Sequence, residues 1–204
     1  MKSLSLGIAA LAASVAFSAS VYAENISKEE YKTEKNPIEA EYKTEKANCK
    51  SQSGNAKDVC MEEAKGKEKV SKAELEARYK PSAKADKKVA DAKAEAEYKV
   101  AKQKCDDKKG NDKDVCIKEA KAAKTSEKAD AKAEKKTTDA AVKAHEKGTE
   151  AAAVKADAKA TEAHADAVKD KRDAEYKVAK EKCDAMSGDA KDKCIAQAKM
   201  KYGK

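Results

Sequence analysis

The chain is poor in the residues that build a globular core. It has no Trp, one Phe, two Pro and seven Gly among 204 residues, and aromatic residues make up 4% of it. Beyond residue 23 its only Leu is Leu75, and most of its nominally hydrophobic residues are Ala. Burying a methyl group contributes about 0.8 kcal/mol, whereas ordering a residue costs about 1–2 kcal/mol. The composition therefore excludes a large globular core.

Charged residues dominate what remains. Asp, Glu, Lys and Arg make up 41% of the sequence, and the net charge is +8. This balance lies near the boundary with intrinsic disorder, yet Ala, Lys and Glu are strong helix formers. We expect long solvated helices that are partly disordered between more stable segments. Because Lys residues alternate with acids, without basic runs beyond short pairs such as Lys87-Lys88, no nucleic-acid partner is predicted.

The N-terminus has the pattern of a secretory signal peptide. Lys2 is followed by an uncharged stretch to Ala23, with an apolar centre from Leu4 to Phe17. We expect cleavage after Ala23 and a periplasmic or secreted protein, with an uncleaved anchor as the alternative. Since Lys2 is the only charged residue in this stretch, residues 24–204 carry a net charge of +7. Export brings a chain into an oxidising compartment, where paired cysteines form disulfides.

All six cysteines lie in three copies of one pattern, in which a Tyr precedes two Cys separated by ten residues. The copies contain Tyr42, Cys49 and Cys60, then Tyr98, Cys105 and Cys116, then Tyr176, Cys183 and Cys194. In one continuous helix the two sulfurs of a copy would lie about 16 Å apart, too far for a disulfide. A chain that folds back between them brings them together. The pattern therefore predicts three αα-hairpins, each with its own disulfide, although six cysteines also allow other pairings.

The middle of each copy predicts where the chain turns. A Gly followed by Asn or Asp lies midway between the cysteines, as Gly54-Asn55, Gly110-Asn111 and Gly188-Asp189. Gly tolerates the left-handed conformation just past a helix C-terminus, and Asn or Asp is a preferred N-cap. We expect these residues to end the first helix and cap the second. Each Tyr precedes the first Cys by seven residues, which places both on one helix face.

A second repeat, of eleven residues, lies between the second and third cysteine pairs. Segments 121–131, 132–142 and 143–153 align, so that Ala122, Ala133 and Ala144 share one position and Ala129, Ala140 and Ala151 share another. Eleven residues make three helical turns, so the spacing predicts a narrow Ala face along a continuous helix. Such a face adheres weakly to another helix or to a surface.

These observations define a fold class and a domain organisation. We predict an all-α protein of extended, low-complexity helices with three disulfide-bonded αα-hairpins and no large core. The segments are a signal peptide (1–23), a polar N-terminal segment (24–40), hairpin repeats (41–65, 97–121 and 175–204), a charged helical spacer (66–96) and an eleven-residue-repeat linker (122–174).

The eleven-residue units, rich in Lys, Ala, Thr and Glu, resemble the repeats of group 3 late embryogenesis abundant proteins. The resemblance rests on residues 121–153 and on the segment EYKTEK, which occurs at 30–35 and again at 41–46. It implies protection of proteins and membranes during dehydration or other stress. By composition, residues 65–175 also resemble the middle domain of TolA, which implies a stalk in the periplasm. The Tyr-Lys-x-x-Lys-x-x-Cys pattern is similar to that of small exported proteins of Gram-negative bacteria, which implies a periplasmic address.

Patterns typical of catalysis or metal binding are missing from the sequence. The two histidines, His145 and His164, lie nineteen residues apart in the linker, and we expect both to be exposed helical residues. The cysteine spacing fits neither a zinc site nor the Cys-x-x-Cys motif of thiol oxidoreductases. We therefore predict no enzymatic activity, no cofactor and no metal.

The expected function is non-enzymatic. The first hypothesis is a stress-protective, hydrophilic helical protein of the periplasm. The alternative is a structural or interaction scaffold of the cell envelope, in which the hairpins dock partners, and a thiol redox or metal-binding protein ranks third. The expected partners are envelope proteins or anionic membrane and wall surfaces, held by weak contact. No oligomeric state is predicted.

Overall fold

A computed structural model describes residues 25–204, so the signal peptide expected over residues 1–23 lies outside the described part. Six α-helices account for most of the described chain: α1 (Lys28–Cys49), α2 (Gly54–Tyr79), α3 (Ala83–Lys104), α4 (Gly110–Lys147), α5 (Glu150–Cys183) and α6 (Gly188–Tyr202). A short 3₁₀ turn, Cys105–Asp107, connects α3 to α4. Residues 25–204 contain no β-strand. The predicted all-α fold class is confirmed.

Local sequence signals fix the starts of three helices. Ser27 and Glu30 form a capping box at the start of α1: the Ser27 hydroxyl accepts a hydrogen bond from the Glu30 backbone N–H at 3.1 Å, and the Glu30 carboxylate accepts one from the Ser27 backbone N–H at 2.7 Å. The hydroxyls of Ser82 and Thr149 accept hydrogen bonds from backbone N–H groups in the first turns of α3 and α5. Pro37 lies inside α1 and does not end it, so α1 runs through the boundary expected at residue 40.

The helices form a row in sequence order. Each helix packs against its neighbours in sequence, and the most extensive contact joins the two longest helices, α4 and α5. Because successive helices run antiparallel, the turns that follow α1, α3 and α5 lie at one end of the row, and those that follow α2 and α4 lie at the other. We name these the disulfide end (turns at 50–53, 105–109 and 184–187) and the distal end (turns at 80–82 and 148–149).

Both spacers fold back on themselves. Residues 66–96 contain the turn at Pro81 between α2 and α3, and residues 122–174 contain the turn between α4 and α5. Gly148 ends α4 with φ of +62°, the left-handed conformation that favours glycine. The expected continuous Ala face through residue 153 is therefore wrong, because the turn splits the third eleven-residue unit and leaves Ala151 exposed.

Small side chains make up the core. The buried cluster of Ala129, Ala133, Ala163 and Ala167 joins α4 to α5, and Leu75 is the largest aliphatic side chain that is buried. The eleven-residue spacing does place buried alanines within a helix, at Ala129 and Ala140 on α4 and at Ala163 and Ala174 on α5. Within residues 25–204 no buried side chain is polar or charged. The prediction of a chain without a large core is confirmed.

Tyrosines add contacts between neighbouring helices. Tyr31 on α1 stacks on Tyr79 on α2, with ring centroids 4.8 Å apart, and Tyr176 on α5 lies 6.3 Å from Tyr202 on α6. The Lys124 ammonium on α4 lies 3.8 Å from the centre of the Tyr98 ring on α3, at the distance of a cation–π contact. No helix in residues 25–204 combines the length and the apolar character that crossing a membrane requires.

Candidate functional site

The disulfide end is built from three copies of one hairpin. Disulfides join Cys49 to Cys60, Cys105 to Cys116 and Cys183 to Cys194, with Cα atoms 5.5, 5.7 and 5.6 Å apart. The first cysteine of each pair lies at the end of the incoming helix and is at most 1% exposed. The second lies two turns into the outgoing helix and is half-buried. The predicted pairing within each repeat is confirmed.

The turn glycines lie at the starts of the outgoing helices. Gly54, Gly110 and Gly188 have φ of +56°, +54° and +54°, so each adopts the left-handed conformation. Each is the first residue of α2, α4 or α6, several residues after the incoming helix has ended. An added Cβ would meet no neighbouring atom at these glycines, so the constraint on residue type comes from the backbone conformation alone.

The expected N-caps take other positions. Asn55, Asn111 and Asp189 are the second residues of their helices, and the N-cap positions belong to Ser53, Lys109 and Ser187, none of which makes a side-chain capping hydrogen bond. The capping interpretation of the Asn and Asp residues is therefore not what the structure shows. In the structure each N-cap lies two residues earlier than expected, because the left-handed glycine is already the first residue of the helix.

An ion pair closes the second and third turns but not the first. The Asp106 carboxylate lies 2.8 Å from the Lys113 ammonium, and the Asp184 carboxylate lies 2.8 Å from Lys191. The hydrogen bond from Lys191 holds the pKa of the exposed Asp184 carboxyl below its ordinary value, and the bond to Asp106 raises the pKa of Lys113. The first repeat carries lysines at both corresponding positions, Lys50 and Lys57, and has no such pair.

Polar contacts connect neighbouring hairpins at this end. The Asn55 side-chain amide donates to the Gln103 backbone carbonyl at 3.0 Å and accepts from the Gln103 side chain at 2.9 Å, which joins the first hairpin to the second. The ion pairs Lys118 with Glu181, at 3.3 Å, and Lys182 with Glu119, at 2.7 Å, join the second hairpin to the third. The three turns therefore form one surface rather than three separate knobs.

The exposed side chains of this surface are mainly polar or charged. The turns present Lys50, Gln52, Asp107, Lys108 and Met186 to solvent. His145 and His164 are exposed on α4 and α5, away from the cysteines. Residues 25–204 contain no group of three or more His, Cys, Asp and Glu side chains that could hold a metal ion. The disulfide end exposes amides, charges and one thioether to solvent.

Sequence reasoning missed the contacts between repeats. The Asn55–Gln103 bridge spans 48 positions, and nothing in a single repeat indicates it. The Asp–Lys ion pair of the turns could have been predicted, since the second and third repeats share an acid directly after the first cysteine and a lysine seven positions further on. The glycine that ends α4 was also visible, as Gly148 followed by Thr149 and Glu150, a helix stop followed by a helix start.

Comparison with known proteins gives no identification: the chain matches no family model, no curated protein and no solved structure.

Proposed function

We propose that this protein is a non-enzymatic interaction scaffold of the cell envelope, exported by its N-terminal leader, that binds a partner protein through the disulfide end. The observation that carries the proposal is the placement of the three disulfide turns side by side at one end of the helix row. Three covalently closed turns hold their backbone in place before any partner arrives. A preorganised surface binds at lower entropic cost than one that must be ordered on binding.

The positions of the disulfides support the interpretation that they stabilise the surface at the disulfide end rather than the packing of the whole row of helices. Each bridge joins residues 11 apart in sequence and constrains only the turn between two helices. The distal turns at 80–82 and 148–149 contain no cysteine. The disulfides are therefore concentrated at the end of the row where the proposed contact lies. Disulfides are stable in the oxidising compartment that the leader implies.

Site-specific photo-cross-linking in the intact cell envelope tests this proposal. A photoreactive amino acid is placed at Gln52, Lys108 or Ala185 in the three turns, and at Lys80 or Glu146 near the distal turns as a control; all five side chains are exposed. The scaffold proposal expects one saturable cross-linked species, shared by the three turn positions, missing from the controls and lost when the disulfides are reduced. Equal labelling at both ends, or labelling that moderate salt abolishes, would contradict it.

Stress protection, the first hypothesis from the sequence, is the second candidate function, and the character of the surface favours it. Exposed ion pairs cover the helices and the core consists of small side chains, so the folded chain is hydrophilic on nearly every face. A protective protein of this kind is expected to keep a client enzyme active through drying better than an equal mass of an inert protein. It is also expected to gain helicity when a cosolvent withdraws water, whereas a preformed scaffold keeps the same helicity. Circular dichroism and the drying assay therefore separate the two candidates.

A further inference from the structure

The distal end carries a groove in which lysines face lysines. Where α4 and α5 approach their shared turn, Lys143 and Lys147 on α4 and Lys155 and Lys159 on α5 line a groove of about 150 Å³. The floor between them consists of alanines of the helix seam, which are Ala140, Ala144, Ala152 and Ala156. We name this the distal groove. All four lysines are exposed, and none takes part in an ion pair within residues 25–204.

The same pair of helices shows a different charge arrangement closer to the disulfide end. There the lysines of α4 face acids of α5, as in the ion pairs Lys118 with Glu181 at 3.3 Å and Lys136 with Asp166 at 3.0 Å. A groove on that part of the seam is lined by Lys118, Lys121 and Lys177 together with Asp170 and Asp173. Toward the turn the acids of α5 give way to lysines, so the complementary pattern ends and a like-charge pattern begins.

Helix dipoles account for only part of this lysine cluster. A lysine in the last turn of a helix is favoured by the negative end of the dipole, which explains Lys147 on α4. Lys155 is the sixth residue of α5, beyond the first turn, so the helix dipole does not account for it. Like charges across a helix seam repel each other, and the groove lacks facing acids that would offset the repulsion. The next section of the seam is lined by Asp139 and Glu162 together with Lys136, and also by Lys143 and Lys159, so two of the four lysines of the distal groove also border acids.

We propose that the distal groove is a binding site for a phosphate-bearing anion that carries two or more negative charges. Lys ammonium groups are strong donors to phosphate oxygens and act as compact point charges that can converge on one group from several directions. Such an anion placed over the alanine floor supplies the negative charge that the lining of the groove lacks. The same chemistry is offered by a soluble diphosphate and by the headgroups of an anionic lipid. The site lies at the opposite end of the row from the proposed protein contact and does not depend on it.

The test uses the full-length mature protein and two matched variants. The groove variant replaces Lys143, Lys147, Lys155 and Lys159 with Gln. The control variant replaces Lys32, Lys43, Lys193 and Lys199, four exposed lysines of α1 and α6, with Gln and so removes the same net charge. Titration calorimetry at low ionic strength measures binding of inorganic pyrophosphate. We expect the groove variant to bind about tenfold more weakly or worse, while the control variant keeps the affinity of the wild type.

Sedimentation with vesicles distinguishes the two sources of phosphate. Vesicles that contain phosphatidylglycerol are compared with vesicles of phosphatidylcholine alone, for the wild type and for both variants. Lysine-dependent binding to the anionic vesicles, with competition by pyrophosphate, would assign the groove to a lipid surface, whereas binding of pyrophosphate alone would assign it to a soluble anion. Equal loss in both variants, or the absence of binding to either probe, would overturn the proposal.

Stability without any ligand gives an independent readout. If repulsion across the groove is real, the groove variant melts at a higher temperature than the wild type at low ionic strength, and added salt removes the difference because it screens the lysines. The control variant shows a smaller rise. A groove variant that melts at or below the temperature of the control variant would show that the four lysines do not repel each other. The proposal that an anion binds between them would then be contradicted.

Discussion

Asn55 and Gln103 join the first disulfide hairpin to the second through two hydrogen bonds. The Asn55 side-chain amide donates to the Gln103 backbone carbonyl at 3.0 Å, and the Gln103 side chain donates back to the Asn55 carbonyl oxygen at 2.9 Å. The Gln103 amide also donates to Asp106 at 3.1 Å, the residue that pairs with Lys113 in the second turn. Polar groups at the disulfide end thus help to fix the register between the two hairpins.

Replacing Asn55 with Ala is expected to destabilise the fold by about 1–2 kcal/mol, since it removes two part-buried hydrogen bonds and leaves the Gln103 amide without one partner. Asn111, at the same position of the second repeat, makes no side-chain hydrogen bond within the described residues and provides the matched control. Asn111→Ala is expected to cost less than Asn55→Ala. Urea denaturation followed by circular dichroism measures both changes, and equal costs would contradict the bridge.

The three disulfides are expected to differ in what they stabilise. Removing Cys105 and Cys116 together opens the central turn, which has helices on both sides, and is expected to cost about 2–4 kcal/mol of global stability. Removing Cys183 and Cys194 frees α6, whose main packing contact within residues 25–204 is with α5. Hydrogen exchange of the second variant is expected to show faster exchange confined to α6, with the rest of the chain protected as before. Global loss of protection in that variant would contradict an independent contribution from the last hairpin.

The parts of the fold that short-range signals encode could be predicted from the sequence. Cysteine spacing and a central glycine were enough to predict three hairpins, because a disulfide cannot bridge two cysteines of one continuous helix at that separation. The scarcity of large apolar residues excluded a large core, and the structure buries mostly Ala side chains and Leu75. The first prediction depended on residues that are close together in the sequence and the second on overall composition, and neither required a contact between distant segments.

The parts that depend on contacts between distant segments could not be predicted. The eleven-residue spacing correctly marked buried alanines such as Ala129 and Ala140, but the same spacing fits one long helix or two helices folded against each other. Gly148, a stop signal present in the sequence, decides where the chain turns. The packing of the two helices depends on the cluster that Ala133 forms with Ala163 and Ala167 across the seam, which no local signal encodes. The three disulfide turns lie at one end because two helices separate each of them from the next, α2 and α3 in one case and α4 and α5 in the other. The sequence of a single repeat does not reveal this number of helices.

Replacing Glu127 with Gln is expected to stabilise the protein at neutral pH. Burial, together with the nearby Glu97 carboxylate, raises the pKa of Glu127 above its ordinary value of 4.5. A group with a raised folded-state pKa favours the folded state below its unfolded pKa and loses that contribution as the pH rises through the folded value. The wild type has therefore lost it at pH 7, whereas Gln stays neutral.

The advantage of Glu127→Gln is expected to disappear below about pH 4, where the wild-type carboxyl is protonated as well. Glu134→Gln, an exposed site on the same helix, removes the same charge and serves as control. Unfolding free energies of both variants and the wild type, measured at several pH values, check the prediction. A gain that is equal at both sites would point to net charge instead of the contact with Glu97.

Gly66 is expected to be required for the close approach of α2 and α3. It is buried inside α2, and a Cβ atom at this position would lie 2.8 Å from the Ala96 Cβ on α3. Ala is favoured over Gly in a helix interior by about 1 kcal/mol, so helix propensity alone predicts that Gly66→Ala stabilises the protein. The steric contact predicts the opposite, because the Ala96 Cβ is fixed to its backbone and the two helices must move apart, at a cost of about 1–3 kcal/mol.

The double variant Gly66→Ala with Ala96→Gly separates these two effects. It moves the methyl group from α3 to α2 and restores the room that the single variant removes. We expect Gly66→Ala to be destabilising alone, Ala96→Gly to cost about 1 kcal/mol for its lower helix propensity, and the double variant to be more stable than the sum of the two changes predicts. Additive free energies in urea denaturation would mean that the two positions do not touch, and the row of helices would then be more loosely packed at α2 and α3 than the structure shows.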